Sequence, residues 1–138
     1  MIPNIYRAMD IANYILTKCI RDEKYINNLQ LQYILFLLQR KYFKHGKILF
    51  SEKIRKVPFG VQVDTVYYHF CIWAGRNILW ADEFCVREKD RQKIDPMIEE
   101  LRELPHFELH KIVMRYLSKP KYNVLLRGYN GSFKICNK

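Results

Sequence analysis

One segment constrains the fold of this chain more than any other. Between Leu29 and Phe43 apolar side chains fall on nearly every face of a helix. Asn27 or Asn28 can cap its start by accepting a backbone N–H, and Gly46 follows its last turn, where a left-handed residue commonly ends a helix. Because a helix that is apolar all round must be buried, the sequence predicts a central buried helix over about residues 28–45.

Shorter helices are expected around this central one. Apolar residues at helical spacing predict a first helix over about residues 4–20 and a third helix from Asp64 to Gly75. A fourth helix is expected to carry Pro96 in its first turn, and a last helix ends near Ser118.

Two regions are predicted to be extended. Short apolar pieces near residues 48–57 are too brief for helices and lie between Gly46 and Gly60. Near the C-terminus, residues 122–136 are predicted to form a β-hairpin, because Asn130-Gly131 suits a type I′ turn. The expected fold class is mainly α with small β elements, in a compact bundle.

The length of 138 residues predicts one domain over residues 1–138, with residues 119–138 as a C-terminal hairpin extension. No apolar run approaches the roughly 20 residues that span a bilayer, and the first residues do not resemble a secretory signal. The four cysteines are scattered without a CxxC pair, which favours reduced thiols. We therefore expect a cytoplasmic protein with no membrane partner.

Positive charge is concentrated in two parts of the chain. The net charge is +10; seven basic residues and one acid lie between Arg40 and Lys56, and seven basic residues and no acid follow from Lys111. Such a field raises encounter rates with polyanions and with acidic protein faces. Nucleic acid and an acidic protein are both candidate partners.

No motif for catalysis or cofactor binding is present. The sequence contains no phosphate-binding glycine loop, no GxGxxG and no GxSxG. His106 and His110 are four residues apart, as in a zinc pair, but Glu108 is not where an HExxH motif needs its glutamate. We expect a protein that is not an enzyme and has no cofactor and no metal.

The first half of the chain resembles a known family. Four stretches are similar to the signature of the Panacea domain, the SocA-like phage-associated antitoxin family: Ile26–Phe36, Gly46–Phe50, Ile54–Val61 and Val66-Tyr67. The resemblance covers about residues 10–70. Three positions depart from the family pattern: Val57 stands for a tryptophan, and Val61 and Asp64 stand for prolines.

The resemblance implies a non-enzymatic, mainly helical protein of a phage or mobile element that binds and neutralises a protein toxin. In one branch of the family it implies an adaptor that passes the toxin to a protease. Aromatic anchors dominate interface energies, and exposed charges tune association rates. The residues expected to contact the partner are Pro58, Phe59, Gly60, Tyr67, Tyr68, Arg40, Lys44, Arg55 and Lys56.

An alternative from another class is a nucleic-acid-binding or ribonucleoprotein-binding counter-defence inhibitor of the anti-CRISPR type, built on the same domain. A basic ribbon with aromatic residues can contact phosphates and stack on bases. The expected nucleic-acid contacts are Lys121, Arg127 and Lys134.

Overall fold

The computed structural model describes residues 4–129. It confirms a compact, mainly helical fold with one small antiparallel sheet. The elements in chain order are α1 (Ala8–Arg21), α2 (Asn28–Lys44), β1 (Arg55–Val57), β2 (Gly60–Gln62), α3 (Asp64–Phe70), a 3-10 helix (Cys71–Trp73), α4 (Glu88–Leu101), α5 (His106–Leu117) and a second 3-10 helix (Pro120–Leu126). Within the described chain, no helix is long and apolar enough to cross a bilayer.

Helix α2 is the centre of the fold, as predicted. Leu31, Ile34 and Phe36 are fully buried, and α2 contacts α1, α3, α4 and α5. Its start is closed by a reciprocal capping box, in which the Asn27 side chain accepts from the Gln30 N–H and the Gln30 side chain accepts from the Asn27 N–H.

The end of α2 also follows the prediction. Gly46 has φ +71°, and its N–H donates to the Phe43 carbonyl at 2.9 Å. The Lys47 N–H donates to the Tyr42 carbonyl at 2.9 Å. These two bonds form a Schellman motif, which satisfies two carbonyls that the helix end would otherwise leave free.

The buried side chain of Gln39 fixes the loop after α2. Its Oε1 accepts from the N–H groups of Leu49 at 2.8 Å and Phe50 at 3.2 Å, and its Nε2 donates to the Phe50 carbonyl at 2.7 Å. Phe50 also forms an isolated parallel bridge with Tyr6. The extended pieces predicted near 48–57 are thus a single bridge followed by strand β1.

The first helix begins four residues later than predicted, at Ala8. Both carboxylate oxygens of Glu52 accept from the Ala8 N–H, at 3.0 and 3.1 Å. A carboxylate at this position stabilises the positive end of the helix dipole. The preceding residues pair with the loop instead, since the Tyr6 N–H donates to the Leu49 carbonyl at 2.9 Å.

Two helix boundaries were predicted wrongly. Helix α3 ends at Phe70, and Ala74 rather than Gly75 has a positive φ, +52°. Helix α4 starts at Glu88, so Pro96 lies inside it. The buried stripe of α4 already begins at Asp90, and the exposed position of Pro96 lets water satisfy the carbonyl that proline leaves unbonded.

The prediction of a C-terminal hairpin is wrong for its first strand. Residues Pro120–Leu126 form a 3-10 helix, because the buried Tyr122 packs edge-on against Phe43 and Tyr116, with centroid distances of 6.3 and 5.4 Å. The predicted turn and second strand, residues 130–136, lie outside the described residues.

Among the described cysteines, Cys19 and Cys71 are free. Cys85 is disulfide-bonded. The prediction of reduced thiols is therefore wrong at Cys85, because the spacing of cysteines along the chain does not show which of them approach each other in the fold.

An ion-pair cluster joins the end of α1 to α4. The Asp22 carboxylate accepts from the Arg102 guanidinium at 2.8 Å and lies 3.3 Å from the Lys18 ammonium. Lys18 is itself buried and lies 2.9 Å from Glu99. The hydrogen bond from Arg102 is the main reason why the pKa of Asp22 falls to about 2.

Candidate functional site

The hairpin of β1 and β2 carries the turn that the sequence singled out. Its register pairs Arg55 with Gln62 and Val57 with Gly60, which leaves Pro58 and Phe59 as the two turn residues. Strand β2 lies against both α2 and α5. The turn is therefore supported by the two helices that pack beneath it.

The carbonyl of Phe59 is held from below by two side chains. The Tyr33 hydroxyl of α2 donates to it, and His110 Nδ1 of α5 lies 3.1 Å away. A tautomer with hydrogen on Nδ1 satisfies this second bond. Burial raises the pKa of Tyr33, so its hydroxyl stays a neutral donor, and the turn backbone is anchored to both helices.

Gly60 brings the hairpin backbone into direct contact with Tyr33. Its φ is +134°, and a Cβ added at this position would lie 2.6 Å from Tyr33 Cε1. Both the backbone conformation and the close approach therefore require glycine here.

Three exposed apolar side chains lie on this anchored turn and on α5, the helix that carries His110. Phe59 is 43% exposed, Phe107 55% and Met114 44%. Phe107 lies three residues before His110 and Met114 four residues after it, which places both on the side of α5 that carries His110. We call Phe59, Phe107 and Met114 the hairpin face.

The two predicted tyrosines lie on α3. Tyr67 is half-buried, and its carbonyl accepts from Asn28 Nδ2 at 3.1 Å. Tyr68 is 60% exposed, with its ring edge-on to Tyr67 at 5.5 Å. Tyr68 is thus available to a partner, and Tyr67 serves mainly to join α3 to α2.

The predicted basic residues differ in their surroundings. Arg55 forms an ion pair with Asp64, with Nε–O distances of 3.1 and 3.2 Å. Lys44 and Lys56 are exposed and form no ion pair with any described residue. Pro58 is exposed as well, whereas Gly60 is buried.

Arg40 has a packing role. Its guanidinium carbon lies 3.9 Å from the centroid of the Tyr116 ring and 5.8 Å from that of Tyr122. Arg40 is seven residues beyond Tyr33, which corresponds to about 10 Å along α2. It ties the C-terminal 3-10 helix to α2 and α5 at a distance from the hairpin turn.

Sequence reasoning missed the contribution of α5 to the hairpin face. The sequence predicts a last helix but does not name Phe107 or Met114 as partner contacts. In the structure Leu109, Val113 and Leu117 form the buried stripe of α5. That i, i+4, i+8 spacing is the signal that places Phe107 and Met114 off the core side.

No arrangement for metal binding appears among residues 4–129, where no three His, Cys, Asp or Glu side chains are grouped to hold an ion. His110 directs Nδ1 to the Phe59 carbonyl, and His106 is exposed at the start of α5. The chemistry that the hairpin face offers is therefore apolar contact on a fixed backbone.

Comparisons of this chain with protein-family models, curated proteins and solved structures find no match. The resemblance to the Panacea domain stays a prediction from sequence.

Proposed function

We propose that this protein is a non-enzymatic, antitoxin-like interaction protein that binds a partner protein through the hairpin face. The observation that carries the proposal is Phe59, a large aromatic side chain 43% exposed on a turn whose carbonyl is held by Tyr33 and His110.

A rigid, exposed aromatic residue is well suited to binding a protein. Large aromatic anchors contribute most of the energy in many interfaces, and a backbone fixed in advance loses little conformational entropy on binding. Phe107 and Met114 extend the apolar area, and Lys111 and Arg115 on the same helix are exposed. The partner surface that fits is apolar at its centre and acidic at its rim.

The resemblance to the Panacea domain gives this partner a class. It supports a protein of a phage or mobile element that neutralises a toxin, directly or by passing it to a protease. Asn28 and Gln32, which belong to the resembling stretch, are buried and linked by a 3.0 Å hydrogen bond. Gln32 also accepts from the Val63 N–H at 2.8 Å, so these motif residues position the end of the hairpin.

The proposal is tested by co-expression with the product of the reading frame next to the gene. We expect that product alone to arrest growth and the wild-type protein to restore it. The double variant Phe59→Ser, Phe107→Ser should not restore growth, because it removes two of the three apolar side chains of the hairpin face.

Ile72→Ser is the matched control, since Ile72 is 79% exposed and lies in the 3-10 helix after α3. It should restore growth like the wild type. Equal rescue by the double variant and the control would refute the role of the hairpin face.

The alternative, a nucleic-acid-binding or ribonucleoprotein-binding inhibitor, is favoured by a different observation. Lys121 and Arg127 are exposed, and no acidic residue follows Lys111 in the sequence. Lys134 lies outside the described residues. This function is tested by measuring the affinity for RNA and DNA at several salt concentrations. A slope of log K against log salt that corresponds to several phosphate contacts would support it, and an absence of binding at low salt would rule it out.

A further inference from the structure

A cleft beside the end of α2 is lined almost entirely by basic side chains. Its volume is about 510 Å³, and its walls are Lys41, Tyr42, His45, Lys47 and Lys93. None of these lining residues carries a carboxylate. The volume falls in the range of sites that bind small molecules, about 300–1,000 Å³.

Three separate elements bring these basic side chains together. Lys41 and His45 are one helical turn apart on α2 and its C-cap. Lys47 follows immediately, held by the Schellman bond from its N–H to the Tyr42 carbonyl at 2.9 Å. Lys93 comes from α4. The tertiary fold therefore brings these side chains together from α2, the loop after it and α4; they are not neighbours on a single helix.

The carboxylate of the adjoining cavity is already hydrogen-bonded within the protein. Asp90 lines an adjoining cavity of about 250 Å³ that shares Tyr42, Lys47 and Lys93 with the cleft. It is 6% exposed and accepts from the hydroxyls of Tyr42, at 2.8 Å, and Tyr6.

Arg87 also lies 3.7 Å from Asp90. Lys89 and Arg87 line the same adjoining cavity. The negative charge of Asp90 is thus offset within the protein, and the lysines of the cleft have no carboxylate among the lining residues to neutralise them.

The bond between Tyr42 and Asp90 also fixes the position of the Tyr42 ring, because its hydroxyl is held in the adjoining cavity. The ring and the aliphatic stems of the lysines give the cleft an apolar wall. A ligand that fits must combine several negative charges with an uncharged body.

We propose that this cleft binds an organic phosphate of nucleotide size, with the ammonium groups of Lys41, Lys47 and Lys93 on the phosphates and the uncharged body against Tyr42. Lysine binds phosphate as a point charge without a fixed geometry. Three such groups match the two to four charges of a nucleoside di- or triphosphate better than the single charge of a carboxylate. A bare phosphate would leave most of the volume empty.

The site is tested by isothermal titration of the full chain with ATP and, separately, with inorganic triphosphate. We expect ATP to bind and to bind more tightly than triphosphate. The triple variant Lys41→Gln, Lys47→Gln, Lys93→Gln should weaken ATP binding at least tenfold. Far-UV circular dichroism of each variant checks that it is folded.

The matched control is Lys44→Gln, Lys53→Gln, Lys56→Gln, which removes the same charge from exposed positions outside the cleft. It should keep ATP binding within about twofold. An equal loss of ATP affinity in both triple variants would show that the ligand is attracted by net charge alone and would overturn the proposed site. Equal affinity for ATP and triphosphate would overturn the organic part of the assignment.

A third arm uses a single-stranded RNA decamer without a terminal phosphate. Binding of this strand more tightly than ATP, with a loss in the cleft variant, would show that the occupant is a nucleic-acid backbone and would overturn the small-ligand assignment. If the RNA strand binds more weakly than ATP, and with the same affinity to both triple variants, the small-ligand assignment is supported.

Discussion

Replacing Gly60 by alanine tests the anchoring of the hairpin most sharply. The new methyl group would lie 2.6 Å from Tyr33 Cε1, at a residue whose φ is +134°. The backbone strain at this φ is about 1–3 kcal/mol, and forcing the Tyr33 ring aside adds about 1–3 kcal/mol. Loss of the Tyr33 bond to Phe59 adds about 1 kcal/mol. We expect the free energy of unfolding to fall by about 3–7 kcal/mol in total.

Gly46→Ala is a control for a positive φ without a close contact. Gly46 also has a positive φ, +71°, but no atom lies within 4 Å of an added Cβ. Its substitution should lower the free energy of unfolding by only about 1–2 kcal/mol. Urea unfolding followed by far-UV circular dichroism measures both values.

A double-mutant cycle with Tyr33→Leu isolates the contact itself. Leucine lacks the ring atom that the alanine methyl would meet, so the extra loss at Gly60 should shrink by about 1–3 kcal/mol in that background. Equal losses for Gly60→Ala and Gly46→Ala in the wild-type background would refute the packing of the hairpin on Tyr33.

Three further outcomes follow from the described contacts. Gln39→Ala removes three hydrogen bonds to the loop after α2 and should lower the free energy of unfolding by about 3 kcal/mol. The control Gln92→Ala, at an exposed position, should change it by less than about 0.5 kcal/mol. Similar losses in the two variants would contradict the role of Gln39 in fixing the loop. Because the pKa of Asp22 is lowered from 3.8 to about 2, its contribution to stability is complete above pH 4 and is lost as pH falls through 4 to 2. Asp22→Asn should therefore narrow the stability difference between pH 5 and pH 2.5 in thermal melts, and an unchanged difference would speak against the pairing with Arg102. Phe59→Ser should lower the free energy of unfolding by no more than about 1–2 kcal/mol, since the residue is 43% exposed and only part of a phenylalanine's burial is lost. A larger fall in urea unfolding would mean that it is a core residue.

Elements that depend on local rules were predictable from the sequence. The apolar content of α2 requires burial, and Asn27 and Gly46 close its two ends by bonds between residues at most five positions apart. Pro58, Phe59 and Gly60 were also singled out from the sequence, whereas the close approach that requires glycine at Gly60 involves Tyr33, which is 27 residues away. Helix α5 was found because its periodicity is unbroken after Pro105.

What failed depended on contacts between distant residues. The sequence that begins at Tyr122 suits a strand, but the packing of Tyr122 on Phe43 and Tyr116 favours a 3-10 helix instead. The start of α1 is set by Glu52, which is 44 residues away. No local signal shows such a cap.

The candidate site was predicted in part for the same reasons. Phe59 and Tyr68 are exposed as a partner contact requires, but Arg40 is taken up by Tyr116 and Arg55 by Asp64. Tyr33 could not be identified as the anchor of the turn, because its partner, the Phe59 carbonyl, is 26 residues away. Charge alone does not reveal which arginines are already paired.

The role of the hairpin face is tested most directly by calorimetry with the purified product of the adjacent reading frame. This product is titrated into three proteins: the wild type, the double variant Phe59→Ser/Phe107→Ser, and the control Ile72→Ser. We predict that the double variant binds at least about 100-fold more weakly, because each buried aromatic anchor contributes about 2 kcal/mol or more, and that Ile72→Ser binds within about twofold of the wild type. Binding of the double variant with the wild-type Kd would contradict the account.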